Sequence, residues 1–442
     1  MFQKKNESNN INQPRLLVVS TNAVRRGGSN GRLLAELLNK WPAEKLAQFY
    51  THSEYPDFDI CKTFYRITDN EAFRAFLTGK KVGCEIKAAP DLKEAGQSVV
   101  ASQRKPPKNA LTLLLRDIVW NSWRWLSKDF WHWVDEFRPE AVLVLAGASA
   151  YPHNTAIKIA NRCKIPLIVL NTENYYLKDY NYLKANGWNL FYPLYKWECD
   201  CGFRRLMRRS SLEIYINKQL SEDYDKAFGR PGEVIYHCSL QEAMPIPANK
   251  MPIFSYAGNL GIDRHKALIQ LADTLQRISP SFILDVYGRA LSESVEHELR
   301  QSPGIAFHGM VPYDEVIQVM RNSDFMVHAE SFDPFWIKDL RTAFSTKIAD
   351  ILKSGKCLIL YAAPSFACTK YVQDNDCGCV ITTPEIMESK LRELISNKEL
   401  QLHFIKNALI AARRDMDGTT NSLRFMQLVT DVVNKTETNE KV

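Results

Sequence analysis

Short runs of aliphatic and β-branched residues, each ended by a turn and followed by a stretch of helical period, recur along most of this 442-residue chain. Residues 15–20 (RLLVVS), 141–147 (AVLVLAG) and 165–170 (IPLIVL) are short and almost uniformly apolar. That pattern fits strands covered on both faces in a parallel sheet, not half-buried antiparallel strands, which would alternate with polar residues. The alternation resumes at 253–257 (IFSYA), 282–287, 305–308, 325–328, 357–361 and 378–381, with helical patterns between the runs. The chain is therefore expected to be α/β, wound twice in the same manner, with helices near 385–395, 399–414 and 419–434 closing it.

The length is too great for one such unit and suits two. Residues 233–236 (EVIY) read as the last strand of the first series, and 237–252 carry Pro245, Pro247 and Pro252, as a linker would. The expected division is 1–240 and 241–442. Overall charge is +7, from 57 Lys and Arg against 50 Asp and Glu, too slight an excess to argue for nucleic acid. It is unevenly placed: residues 1–240 hold 35 basic against 25 acidic side chains, and 241–442 hold 22 against 25. The first excess includes Arg204, Arg205, Arg208 and Arg209, a set suited either to an anionic membrane surface or to a solvated helix face.

The N-terminal residues are polar and lack an apolar signal core, so the ten cysteines are expected as reduced thiols in a cytoplasmic protein. Cys199/Cys201 and Cys377/Cys379 have neither the Cys-x-x-Cys spacing nor the histidine pair of a zinc knuckle, and no metal is expected. Residues 141–157 form the longest uncharged run, but Ser149, Pro152, His153 and Asn154 interrupt it, which excludes a membrane-spanning helix there. Residues 111–137 read as helical and carry Trp120, Trp123, Trp125, Trp131 and Trp133. Their helical spacing favours core packing over an apolar acceptor or lipid surface.

Neither Gly-x-Gly-x-x-Gly, nor Gly-x-x-x-x-Gly-Lys-Ser/Thr, nor Gly-x-Ser-x-Gly occurs, which removes the main support for a dehydrogenase, a P-loop NTPase or an α/β-hydrolase. The densest signal is 325–333 (FMVHAESFD), then 344–355 (FSTKIADILKSG) and the strand 357–361. Ser345 is a good N-cap for a helix starting at Thr346, and its free amides and positive end suit a diphosphate. Lys347 and Asp350, three apart on one helix face, can meet a phosphate and a ribose diol; taken alone they are equally an ordinary surface pair.

Four further segments stand in order at strand ends: 255–264 (SYAGNLGIDR), 286–288 (VYG), 307–313 (FHGMVPY) and 322–330 (NSDFMVHAE). The ordered set resembles the donor domain of GT-B glycosyltransferases of the retaining family 4, also called glycosyl transferases group 1. The resemblance implies two Rossmann-like domains facing a cleft, an acceptor-binding domain first and a nucleotide-sugar donor domain second, with the last helices packing back toward the first. It implies that Gly258, Asn259, Gly261 and Arg264 contact the donor diphosphate, that Tyr287 and Gly288 line the same side, and that His308, Gly309 and Val311 form a loop meeting the base. Glu330 matches the first acidic residue of the family's pair, which holds donor-sugar hydroxyls. Ser345, Thr346 and Lys347 match the phosphate-binding helix end, and Asp350 the ribose ligand. Here the chain departs from the pattern, because Lys338 stands where the second acid usually does, eight positions after Glu330. Lys338 and Arg341 in this longer spacer read first as exposed loop basics and second as phosphate contacts.

In the first domain, Gly27 and Gly28 open a helix after the first strand, where backbone can approach a phosphate or acceptor closely or simply turn into the helix. Asn171 and Glu173 follow a strand and are expected to line the acceptor side; His153 is a further candidate, although a lone histidine is more often structural. The resemblance implies front-face substitution at the sugar carbon without a protein nucleophile, with Glu330, Arg264 and Lys347 as the catalytic set. No cofactor is expected beyond a donor of UDP or GDP type. Expected partners are that donor, a glycan or polyprenyl-linked acceptor and an anionic membrane surface. A nucleotide-sugar epimerase of the same fold and a non-catalytic sugar-nucleotide binding protein are the alternative functions.

Overall fold

The computed structural model describes residues 13–26, 29–88, 109–183, 190–239, 241–246 and 249–440. The expected turn glycines Gly27 and Gly28 lie outside the described residues. Two compact units divide the chain. One comprises residues up to Ile214 together with Ser422–Val442, and the other runs from Tyr215 to Asn421.

The first unit contains β1 (Leu16–Ser20), α1 (Ser29–Leu37), β2 (Leu46–Tyr50), β3 (Thr63–Arg66), α2 (Asp69–Thr78), β4 (Cys84–Ile86), α3 (Ala110–Asn121), α4 (Lys128–Phe137), β5 (Ala141–Leu145), α5 (Ala150–Cys163), β6 (Leu167–Asn171), α6 (Tyr192–Arg209) and β7 (Leu212–Tyr215). Its strands lie in the order β4-β3-β2-β1-β5-β6-β7. β1 pairs in parallel with both β2 and β5, and β5 with β6, while β4 runs antiparallel at the edge. Every residue of β1, β5 and β6 is buried, as strands covered on both faces must be.

The expected single helix over 111–137 is two. Trp123 takes a left-handed conformation (φ 58°) that ends α3, and Ser127 starts α4 by accepting the Phe130 amide. Trp120, Trp125 and Trp133 are buried, with Trp125 stacked on Phe49 at 5.6 Å and Trp120 on Tyr151 at 4.7 Å, so the tryptophan cluster is core.

The second unit begins with α7 (Lys218–Phe228) and β8 (Glu233–Val234). It continues through β9 (Phe254–Ala257), α8 (Arg264–Ile278), β10 (Leu284–Tyr287), α9 (Glu293–Gln301), β11 (Ile305–Gly309), α10 (Tyr313–Asn322), β12 (Phe325–Ala329), α11 (Pro334–Asp339), α12 (Thr346–Ser354), β13 (Cys357–Tyr361), α13 (Ala367–Asp374), β14 (Cys379–Ile381), α14 (Met387–Ser396) and α15 (Lys398–Asp415). Its six-stranded sheet has the order β11-β10-β9-β12-β13-β14, parallel throughout. The strand order reverses between β9 and β12, and in sheets of this kind ligands bind at the carboxyl ends beside that reversal.

The last helix, α16 (Gly418–Glu440), leaves the second unit after Asn421 and joins the first. There Phe425 packs on Trp41 at 5.8 Å and the Lys40 amide donates to Ser422 Oγ at 3.1 Å. None of the ten cysteines is in a disulfide. Among the described residues no helix is long and apolar enough to cross a membrane, and no cluster of His, Cys, Asp and Glu could hold a metal ion.

Candidate functional site

β9 runs directly into Gly258, whose amide donates to the Tyr287 carbonyl at 2.7 Å. The Gly288 amide at the end of β10 donates to the Gly309 carbonyl at 2.8 Å. Three neighbouring strand ends are thus stitched together by glycine backbone. A Cβ at Gly288 would strike the Gly258 carbonyl, so that position excludes a side chain, and one at Gly258 would displace the Lys347 ammonium. The turn that follows is pinned twice: Tyr256 Oη donates to the Asn259 carbonyl at 2.7 Å, and Asn259 Oδ1 accepts the Gly261 amide at 2.8 Å. Ile262 and Asp263 both take positive φ (56° and 59°), a conformation that costs side-chain-bearing residues on the order of 1–3 kcal/mol each. This tight turn starts α8 at Arg264.

Glu330 stands one residue beyond the end of β12, across the sheet reversal from that turn, and is buried. Arg264 Nε and Nη2 each approach Glu330 Oε2 at 2.8 Å, and His328 Nε2 lies 3.0 Å from Oε1. Burial by itself would raise the carboxyl's pKa, but the His328 hydrogen bond and the Arg264 charge outweigh it and hold Glu330 below its ordinary value. Burial pushes the His328 imidazole down against the pull of Glu330, so the ring is neutral at pH 7 and donates from Nε2. Its Nδ1 is buried without a partner among the described residues.

Lys347, in the first turn of α12, extends toward Gly258 and sits 5.6 Å from the centre of the Tyr256 ring. Among the described residues it makes no ion pair or side-chain hydrogen bond. Burial and then the repulsion of Arg264 lower its ammonium to about 8. Ser345 caps α12 by accepting the Lys347 amide at 3.4 Å. A glycine turn, a helix N-terminus, an arginine and a lysine therefore converge at the switch point, with one buried carboxylate among them. Such a set can receive a diphosphate and hold the hydroxyls of a group attached to it.

Asp350, one turn further along α12, is buried and already has hydroxyl partners. Ser239 Oγ donates to Oδ1 at 2.7 Å and Tyr313 Oη to Oδ2 at 3.5 Å. Two hydroxyls on one carboxylate is the geometry a ribose diol would reproduce. His308 stacks on Tyr287 at 4.4 Å and its Nε2 lies 2.7 Å from Asp285 Oδ1, so its ring is engaged and the exposed loop offers backbone through Gly309 and Val311. In the spacer, Arg341 is ion-paired with Asp223, and Lys338 falls on the short helix α11 instead of a loop.

Reading from residue types alone omitted His328, Tyr256, Ser239 and Tyr313. His328 carried a signal, because it lies two residues before Glu330 and alternate residues of a strand share a face. Ser239 carried none, being 111 residues from its partner Asp350.

In the first unit the strand order reverses between β1 and β5. Near the carboxyl ends of β5 and β6, Gly147 donates its amide to His153 Nε2 at 3.2 Å. Burial pushes the His153 imidazole down to about 3, so the ring is neutral with its proton on Nδ1, which has no partner among the described residues. Asn171 ends β6, is fully buried, and neither its amide nitrogen nor its oxygen has a partner there. Buried polar atoms are rarely left without a hydrogen-bond partner. Glu173, two residues on, is exposed.

Residues 242–410 match the family Glycosyl transferases group 1. No curated protein matches the chain. Solved structures with the same fold include HepE of Anabaena in complex with UDP (14% identity, TM-score 0.59, 94% of this chain and 100% of that chain). Sucrose-phosphate synthase of Thermosynechococcus elongatus aligns with 11% identity and a TM-score of 0.61, over 95% of this chain and 100% of that one. WaaG, a glycosyltransferase involved in lipopolysaccharide biosynthesis, aligns with 13% identity and a TM-score of 0.53, over 94% of this chain and 99% of that one. The family match is confined to residues 242–410, within the second unit, and the fold is shared with these solved structures.

Proposed function

We propose that the protein transfers a sugar from a nucleoside-diphosphate sugar to a hydroxyl of a glycan carried on a lipid, with retention at the anomeric carbon, in the assembly of a cell-surface polysaccharide or glycolipid. The observation that carries this is the convergence of the Gly258–Gly261 turn, Arg264, Lys347 and the N-terminus of α12 around the buried Glu330. Residues 241–442 hold the donor and residues 1–240 the acceptor. The complexes of HepE with UDP and with UDP-glucose favour a UDP-type donor, and the role of WaaG favours a lipid-linked glycan.

The donor's bond between the anomeric carbon and the phosphate oxygen breaks as the acceptor oxygen bonds to the same face of that carbon. The acceptor's proton passes to an oxygen of the departing diphosphate. Negative charge grows on that diphosphate, and Arg264, Lys347 and the first amides of α12 are fixed in advance to meet it. Glu330 stays ionised with both oxygens engaged. Oε1, which faces His328 alone, keeps a lone pair for a sugar hydroxyl, which makes Glu330 an orienting group and not a nucleophile. Asp350 exchanges its Ser239 and Tyr313 hydroxyls for those of the ribose, and the Gly309–Val311 backbone meets the base. In the first unit, Asn171 and the Nδ1–H of His153 face the acceptor.

A thermal-shift screen against UDP, GDP, ADP and CMP tests the donor. A nucleotide at 100 times its dissociation constant should stabilise the protein by about 2.7 kcal/mol. Transfer of labelled sugar from the stabilising donor to a lipid-linked glycan tests the reaction. Turnover of donor without any acceptor, into an epimer or free sugar, would show the epimerase reading to be right instead.

A further inference from the structure

Seven of the eighteen large apolar side chains that the described structure leaves exposed fall on three helices of the first unit, α2, α3 and α6, of which α3 packs against both others. On α3 the exposed residues are Leu111, Leu115 and Ile118, spaced as one ridge, while Ala110, Leu114, Asp117 and Trp120 face inward. On α6 the ridge is Leu194 and Trp197, the latter 59% exposed, preceded by Leu190 and Phe191. The two helices meet along a buried seam of Ala110, Leu114, Tyr195 and Cys199, so their exposed ridges lie side by side on its outer edge. α2 adds Phe73 and Leu77 beyond α3. Single exposed apolar residues need no explanation, but a connected set of this size on a water-soluble surface marks a contact face.

The charge around this face is net positive. The α6 ridge continues from Trp197 through Arg204 and Arg208 at helical spacing, so one stripe runs from apolar to basic. The carboxylates of α6 are already occupied, Asp200 by Lys196 and Glu198 by Arg205. Arg208, and Arg74 and Lys80 next to the α2 ridge, have no carboxylate partner among the described residues. Aromatic and aliphatic groups rimmed by free cations match an anionic bilayer, where indole and phenyl rings sit at the headgroup level and basic side chains meet the lipid charge. The face is also tied to the acceptor side: Tyr195 Oη and Cys199 Sγ both donate to the Ala148 carbonyl, in the loop between β5 and α5 that carries Gly147.

We infer that the α2–α3–α6 face docks the protein on an anionic membrane surface, where its acceptor resides. The inference rests on the lipid-linked acceptor reading for its purpose, but vesicle binding is measured without donor or acceptor, so the two can fail separately. The protein is sedimented with vesicles of equal parts phosphatidylcholine and phosphatidylglycerol at low salt, and with phosphatidylcholine alone. Wild type should pellet with the anionic vesicles only. The double variant Leu115→Glu with Trp197→Glu should lose at least about tenfold in partition, and Arg208→Ala about fivefold, the loss expected for one near-surface cation. Both positions of the double variant are exposed, and unchanged melting checks that it folds; Arg208→Ala tests the charge with no change to the apolar ridge. Wild type left in the supernatant, or variants that pellet as wild type does, would overturn the inference. So would a solution dimer that the double variant converts to monomer, since a second copy would then cover the face.

Discussion

Arg264 closes on a single oxygen of Glu330, its Nε and Nη2 each 2.8 Å from Oε2, while the other oxygen faces His328. The carboxylate is thereby fixed in orientation and kept ionised in a buried setting. Glu330→Gln keeps the shape, but its amide nitrogen cannot accept from a donor hydroxyl, and Arg264 loses its counter-charge. Transfer should fall by about 10²-fold or more while the dissociation constant for the free nucleotide changes little, because the lost contact is made to the sugar. Calorimetric titration with the nucleotide and a radiolabelled transfer assay give the two readouts. Full turnover in this variant would remove Glu330 from the mechanism. Glu330→Ala should also lower stability, by about 3 kcal/mol, since it leaves the arginine buried and unpaired.

Lys347 predicts a pH dependence whose sign is fixed by the direction of its shift. Burial and Arg264 lower the ammonium from 10.5 to about 8, so the lysine is charged at pH 7 and loses its proton as pH rises through 8. Affinity for a nucleoside diphosphate should therefore hold below about pH 7.5 and decline above pH 8. Lys347→Met should bind about tenfold more weakly at pH 7 and show a flat profile from 7 to 9. Stability moves the opposite way. A lysine that holds its proton less tightly when folded weakens the fold at all pH values below the folded pKa, and the penalty fades between 8 and 10.5. The methionine variant should accordingly be more stable at pH 7, by about 1–2 kcal/mol. A methionine variant that binds as wild type does at pH 7 would separate the lysine from the diphosphate.

Asp350 holds the hydroxyls of Ser239 and Tyr313 in the place proposed for a ribose. Asp350→Ala should weaken nucleotide binding by about ten- to a hundredfold, the loss expected when two charge-assisted hydrogen bonds go. The matching nucleoside and 2′-deoxynucleotide separate this from a general loss of fold. In wild type the deoxynucleotide should bind more weakly than the ribonucleotide, and in Asp350→Ala the two should bind alike. Equal binding of both by the wild-type protein would leave Asp350 as a structural ligand of Ser239.

The parallel core strands were legible because burial on both faces leaves an uninterrupted apolar run, as in 141–145 and 357–361. β2 was not, since its central Gln48 is fully buried and polar; it accepts the Val24 amide at 2.8 Å and donates to Ser20 Oγ at 2.7 Å, a network no period reveals. The break between α3 and α4 depends on one left-handed tryptophan, and tryptophan carries no helix-stop signal. At the site, the phosphate side was readable locally, from the cap at Ser345 and the glycine turn. The Glu330 clamp was not, because Arg264 lies 66 residues away and only the fold brings the two strand ends together.

Asn171 in the first unit offers a test in which stability and function part company. Its side chain is buried and neither polar atom has a partner among the described residues; a buried amide that stays unpaired costs on the order of 1–3 kcal/mol. An asparagine that meets an acceptor hydroxyl would gain hydrogen bonds on binding. Asn171→Leu has similar branching and no polar atoms, so it should raise the melting temperature by a few degrees. The same variant should lower kcat/KM for the acceptor by about tenfold or more and leave nucleotide affinity unchanged, since the residues proposed to hold the donor all lie in the second unit. Differential scanning calorimetry and acceptor-dependence kinetics supply the two measurements. A leucine variant that melts lower and transfers normally would make Asn171 a packing residue and send the search for the acceptor contact back to the neutral imidazole of His153.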